Sequence, residues 1–172
     1  ARYYRQLTRF SAAFATLADA SMLVLGGSLK RRESISARLG DVLSQLYLIS
    51  ATLKRFEDEG RQAADAPLAH WAIQDAFCRA QDAIAGVLDN FPNRFLACAL
   101  RVLLFPWGRS FSAPSDKLSA AVAEALCTPG AARDRLTRLA HVPVGLEEPV
   151  GALEAALQAV LATQSLDARV RE

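Results

Sequence analysis

The sequence has little of most things that do chemistry. Histidine occurs twice, as His70 and His141, and cysteine three times, as Cys78, Cys98 and Cys127. The cysteines are odd in number, far apart and form no Cys-x-x-Cys pair, which argues against a zinc site and a disulfide framework. Each stands among apolar neighbours, so all three are expected to be buried small hydrophobes in a reducing compartment. No glycine-rich phosphate loop, nucleophile elbow or metal-binding box is present. An excess of charge is missing too: 20 Lys and Arg against 18 Asp and Glu give +2. That balance argues against a dedicated nucleic-acid binder, so no nucleic acid is expected among the partners. β-Branched residues are sparse, no alternating strand pattern occurs, and no repeat is found. A basic leader with an apolar stretch and cleavage site is also lacking. The chain starts at Ala1 inside a helical pattern, which predicts a piece of a longer protein.

What is present is helix. Alanine and leucine dominate, and 172 residues suffice for one compact domain with a core. The first helix is expected from Arg2 to Leu25. Leu7, Phe10, Phe14, Leu17, Ser21 and Val24 recur at steps of three and four. Its other sides are also small and apolar (Ala12, Ala13, Ala15, Met22, Leu23), which predicts a centrally buried helix. The run from Phe10 to Leu29 has the length of a membrane span. Asp19 in its middle and Gly26-Gly27 at its end disfavour that reading.

A second helix is expected from Glu33 or Ser34 to Gly60, with a stripe of Ile35, Leu39, Val42, Leu43, Leu46, Leu53 and Phe56. Pro67 suits the first turn of a third, capped by Asp65 or Ala66. Its stripe runs through Ile73, Phe77, Ala80, Ile84, Val87, Leu88 and Phe91. Three long helices on short links predict an up-down-up bundle. Shorter helices follow: Arg94 to Phe105, Ser115 to Leu126, one from Thr128-Pro129 to before His141, and one opened by Pro149. The last carries Leu153, Ala156, Leu157, Val160 and Leu161. The expected fold is all-α, with three long antiparallel helices (1–91) and three to four shorter ones (93–172) in a single helical domain.

Several clusters admit two readings. Glu57-Asp58-Glu59 could hold a metal or do acid–base work. Adjacent residues on a helix point apart, so a solvated helix end is preferred. Lys30-Arg31-Arg32 could meet a phosphate or an anionic lipid head, but its place at a helix C-terminus already explains it through the dipole. His70 lacks a motif-placed partner for general-base work, and His141 sits in a turn. Asp19 needs a structural partner if buried, and Arg38 is the expected one. The segment from Asn93 to Arg109 is the most suggestive. It is apolar, with Arg94, Arg101 and Arg109 spaced along it and Trp107 near one end. Such a helix can lie in a membrane interface with arginines at the headgroups, or it can be core. Arg94, Phe95, Arg101, Leu104, Phe105, Trp107 and Arg109 are the candidate membrane or docking surface. No catalytic, cofactor-binding or metal-binding residue is assigned.

Specific strings add a resemblance. RYYRQLTRFSAAFATLADASMLVLGG, SARLGDVLSQLYLISATLKRFEDEG, HWAIQDAFCRAQDAI and NFPNR follow one another, then PSDKLSAAVAEAL and PGAARDRLT. The series resembles the C-terminal domain of the large bacterial fatty acyl-CoA dehydrogenases of β-oxidation. The ARLGDVLSQLYLISATLKR stretch is more distantly similar to the extra C-terminal region of mitochondrial very-long-chain acyl-CoA dehydrogenase. The resemblance implies a parent flavoenzyme that holds FAD and converts an acyl-CoA to a trans-2-enoyl-CoA. A glutamate takes the α-proton while hydride leaves the β-carbon for the flavin. It also implies that this chemistry sits in a preceding core, and no position here matches the catalytic glutamate or the FAD motifs. The implied partners are that dehydrogenase core, further copies through the parent, and a peripheral contact with the inner membrane from the cytoplasm. A stand-alone helical interaction module and a helical acyl-chain cavity are the rival expectations.

Overall fold

The computed structural model describes residues 2–171 except 142 and 144, with side chains described through 163. Among the described residues the fold is all-helical: α1 (Arg2–Leu25), α2 (Glu33–Asp58), α3 (Ala66–Asp89), α4 (Arg94–Leu104), α5 (Asp116–Cys127), α6 (Ala131–Thr137) and α7 (Pro149–Arg171). Short 3-10 turns, Gly26–Arg31 and Ala63–Asp65, precede α2 and α3. The chain forms two compact units, Ala1–Ala120 and Ala121–Glu172.

Local chemistry sets the helix ends. Gly26, at φ +49, turns the chain out of α1. At the end of α2, the Gly60 amide donates to the Glu57 carbonyl and the Arg61 amide to the Phe56 carbonyl at 2.8 Å. Gly60 takes φ +79 to allow this paired closure. Pro67 sits in the first turn of α3, and Asp65 occupies the preceding position without making a side-chain cap bond. Asn93 caps α4, its side chain accepting from the Leu96 amide at 3.1 Å. The Ser115 hydroxyl accepts from Leu118 N at the start of α5. The helix expected from Thr128-Pro129 begins slightly later, after Gly130.

The first unit is an up-down-up bundle. The start of α1 meets the start of α3 through Tyr3 and His70, and the start of α2 meets the end of α3 through Arg38 and Gly86. The helix at the centre is α3, not α1. It buries Ile73, Ala76, Phe77, Ala80, Gln81, Ile84, Ala85, Val87 and Leu88. In contrast α1 buries only Phe10, Leu17, Ser21 and Leu25. Leu23 is 86% exposed, and Met22, Ala12 and Ala15 also face outward. Alanine fits any environment, so an alanine-rich helix can be apolar all round without being central. Residues 2–31 include one helix long and apolar enough by composition to cross a membrane. One face of it is nevertheless committed to the bundle. Asp19 is exposed and needs no buried partner, and Arg38 lies elsewhere.

The core continues from α3 into α4, through Ala97, Leu100, Leu104 and Phe105. Phe10, Phe77 and Phe111 close it as a three-ring cluster. Phe77 stacks on Phe111 at 4.6 Å, and Phe10 meets Phe77 edge-on at 5.1 Å.

In the second unit Arg133 and Glu154 make a two-pronged ion pair, with Nη1 to Oε1 at 2.9 Å and Nη2 to Oε2 at 2.5 Å. It links α6 to α7. Leu153 and Val160, expected as a packing stripe, are exposed. The expected loop from Pro143 to Glu148 lies partly outside the described residues.

Candidate interaction surface

The candidate surface is built on α4 and the segment after it. Eleven residues of α4 carry two apolar faces. Ala97, Leu100 and Leu104 turn inward, a spacing of three and four. Phe95, Cys98, Ala99, Val102 and Leu103 turn outward and repeat the same spacing. Phe95 is 92% exposed, and Trp107, just beyond the helix, is 90% exposed. Leu104 and Phe105 are therefore corrections: they are core residues, not part of the outer surface. Apolarity alone could not separate the two faces, because both are apolar.

The three arginines fold back toward α3. The Arg101 guanidinium meets the Asp89 carboxylate at 2.7 Å, and Arg109 meets Asp82 at 3.1 Å. Arg94 donates to the Asp89 carbonyl at 3.0 Å. All three are exposed, so these contacts hold them only weakly and leave them able to exchange partners.

What fixes this region is a set of polar side chains on α3 that pattern reading passed over. Gln81 is 1% exposed. Its Oε1 accepts from the amides of Ser110 (2.9 Å) and Phe111 (3.1 Å), and its Nε2 donates to the Phe111 carbonyl at 2.9 Å. One turn pair earlier, Gln74 Nε2 donates to the carbonyls of Ser112 and Ala113, both at 3.3 Å. Trp71 Nε1 donates to the Ser119 hydroxyl at 3.0 Å. An extended stretch after Trp107 is thus laid along α3, its backbone groups satisfied by side chains instead of by a neighbouring strand. The only sequence sign was a polar residue at positions 74 and 81 inside an apolar stripe.

The other sequence candidates resolve locally. Glu57, Asp58 and Glu59 each find their own base, through Arg61 at 2.7 Å, Lys54 at 2.5 Å and Arg55 at 3.1 Å. They do not converge, and among the described residues no three His, Cys, Asp or Glu side chains gather as a metal site. His70 Nδ1 shares a 2.7 Å hydrogen bond with the Tyr3 hydroxyl. Burial pushes the Tyr3 phenol up, so it stays protonated and can donate. His141 is exposed in a coil. Cys98 and Cys127 are exposed and Cys78 is half-buried, which corrects the expectation of three buried thiols. Burial, then the nearby Asp82 and Asp75 carboxylates, raise the Cys78 pKa, so its thiolate is disfavoured.

A second outward apolar patch lies on α2, where Leu43, Tyr47 and Leu48 are exposed. Leu43 and Tyr47, four residues apart, share a face, whereas Leu48 directly follows Tyr47 and points away from Leu43. The first unit therefore has uncovered apolar side chains on α1, α2 and α4.

A family model described as "Acyl-CoA dehydrogenase, C-terminal, bacterial type" matches residues 1–172. No solved structure matches the chain.

Proposed function

The chain belongs to the bacterial-type acyl-CoA dehydrogenase C-terminal family, and from that premise we propose that it is the accessory domain of a FAD-dependent enzyme. That enzyme would oxidise fatty acyl-CoA to trans-2-enoyl-CoA in β-oxidation. The domain's own part is to dock on the catalytic core, to support assembly of the oligomer, and to hold the enzyme peripherally at the inner membrane from the cytoplasm. The observation that carries this reading is the outward face of α4 with Trp107. Phe95, Val102, Leu103 and Trp107 expose apolar surface in one region, with Arg94, Arg101 and Arg109 beside it. A group of exposed apolar side chains rimmed by polar residues marks a contact surface, which a single exposed ring would not. Apolar rings flanked by guanidinium groups suit the lipid headgroup boundary, where the rings enter the acyl region and the arginines meet phosphates. The patches on α1 and α2 then serve the protein partners.

FAD supplies hydride acceptance in such an enzyme. The residues of this chain do not fit it. Two open clefts in the first unit measure about 470 and 490 Å³, and the Gly26-Gly27 turn that leads into α2 beside one of them lacks the G-x-G-x-x-G spacing of a dinucleotide cradle. The flavin and the proton-abstracting glutamate are accordingly assigned to the preceding core, and no step of the reaction is derived from this domain.

The test compares the full-length enzyme with one lacking residues 1–172 of this chain. Turnover, flavin content, subunit assembly and membrane partition are measured together. Loss of assembly or partition, with the isolated chain inactive, is the expected result. If all four stay unchanged, the accessory role is wrong.

A further inference from the structure

The basic run at the end of α1 borders a cleft. Arg31, Arg32, Glu33, Ser34, Arg38 and Asn90 line a cleft of about 470 Å³ between the turn after α1, the first turn of α2 and the end of α3. Three arginines and one glutamate are among its lining residues. Arg55, Arg61, Arg79, Arg101, Arg109 and Arg133 all have carboxylate partners. Among the described residues, no ion pair joins Arg31, Arg32 or Arg38 to a carboxylate. Like charges collected around one cleft repel each other, and a bound anion reverses that sign.

Arg38 is held in place at this cleft. Its Nη1 donates to the Ser34 carbonyl at 3.3 Å. Its Nε and Cδ pass 2.9 and 3.0 Å from where a β-carbon on Gly86 would stand. The missing β-carbon of Gly86 thus makes room for the Arg38 side chain against α3, and a β-carbon there would make it shift. Asn90 is fixed by donating to the Gly86 carbonyl at 2.8 Å, which leaves its second amide hydrogen for another acceptor. No side chain caps the first turn of α2. The dipole of that 26-residue helix adds to the positive field. The donor set is several planar forks, a hydroxyl and an amide around one space. It suits a tetrahedral anion with several acceptor oxygens better than a planar carboxylate.

We propose that this cleft binds a phosphate monoester group, with Arg31, Arg32 and Arg38 as its principal ligands and Ser34 and Asn90 as neutral donors. The group can come from a soluble phosphate ester or from a phospholipid headgroup. The inference does not rest on the reading of α4.

The full chain is titrated calorimetrically with inorganic phosphate, and separately sedimented with phosphatidylcholine vesicles with and without phosphatidic acid. Saturable binding of inorganic phosphate identifies a soluble source, and saturation only on phosphatidic acid identifies the lipid. Either supports the site. The Arg31→Gln/Arg32→Gln variant is expected to weaken that binding about tenfold or more, since charge-assisted bonds are lost. Gly86→Ala displaces Arg38 and is expected to weaken it as well, with unchanged circular dichroism. An Arg5→Gln/Arg138→Gln control removes the same charge elsewhere and should bind like the parent. Absence of saturable binding to either probe overturns the proposal. So does equal loss in the control and the Arg31/Arg32 variant, which would reduce the effect to net charge.

Discussion

Replacing Gln81 by leucine would remove three hydrogen bonds while nearly preserving side-chain volume. The amides of Ser110 and Phe111 and the Phe111 carbonyl would lose their partner. A buried polar group left unsatisfied costs about 1–3 kcal/mol. Ser110 is exposed and Phe111 only half-buried, so water can recover part of this. Burying leucine in place of the amide returns about 1 kcal/mol. The net expectation for Gln81→Leu is a loss of about 2–4 kcal/mol in the first unit. Urea unfolding followed by circular dichroism measures it. Hydrogen exchange at Ser110 and Phe111 locates it, since both amides should lose protection before the helices do. Gln74 is the internal comparison. Its two bonds are 3.3 Å long and exposed, so Gln74→Ala should cost less than about 1 kcal/mol. If Gln81→Leu matched Gln74→Ala, and the two amides kept their protection, the bridging role of Gln81 would be refuted.

Three further outcomes follow from other parts of the molecule. Gly60→Ala forces a side chain into φ +79 at the closure of α2 and should cost about 1 kcal/mol, read as a lower urea midpoint at unchanged slope. The Arg133 side chain, with help from Gln158, lowers the Glu154 carboxyl from 4.5 to about 2. Its contribution to stability is therefore complete above pH 4.5 and is lost as pH falls through about 2. Glu154→Gln should flatten that acid limb in thermal melts, and a parent protein with no acid limb in this window would contradict the assignment. Phe95→Ser/Trp107→Ser should lower partition onto anionic vesicles by about tenfold or more, because each ring carries about 1.5–3 kcal/mol of apolar burial. Equal co-sedimentation of variant and parent would remove α4 from the membrane-contact reading.

Most helix bounds were legible from periodicity and punctuation. Arg2, Leu25, Glu33, Arg94 and Pro149 all stand where the pattern put them, because glycine and proline act through local backbone geometry. Burial was less legible. Two helices with apolar residues on several sides, α1 and α3, differ in sequence mainly by the size of those residues. Phe77, Ile84 and Leu88 fill volume that Ala12 and Ala15 cannot, and α3 took the centre. The same limit misplaced Leu104 and Phe105, since a short helix apolar on two faces does not say which face meets the core. Gln81 and Phe111 were hidden for another reason. One is polar and the other sits in a loop, and their burial depends on each other across 30 residues. The Lys30-Arg31-Arg32 run was visible, but its meeting with Arg38 over Gly86 needed the third dimension.

The central place of α3 also bears on the order of assembly. Its closest packing is with α2, to which it is joined by the short link between Asp58 and Ala66. Contacts within such a hairpin close a small loop, so they form early at little entropic cost. In contrast α4 depends on a face of α3 that exists only once that helix is set. The expected rate-limiting structure is thus the α2–α3 hairpin, with α1 and α4 added to it afterwards. Substitutions at Ile49 or Ile84 should slow folding, whereas those at Leu17 or Leu100 should mainly speed unfolding.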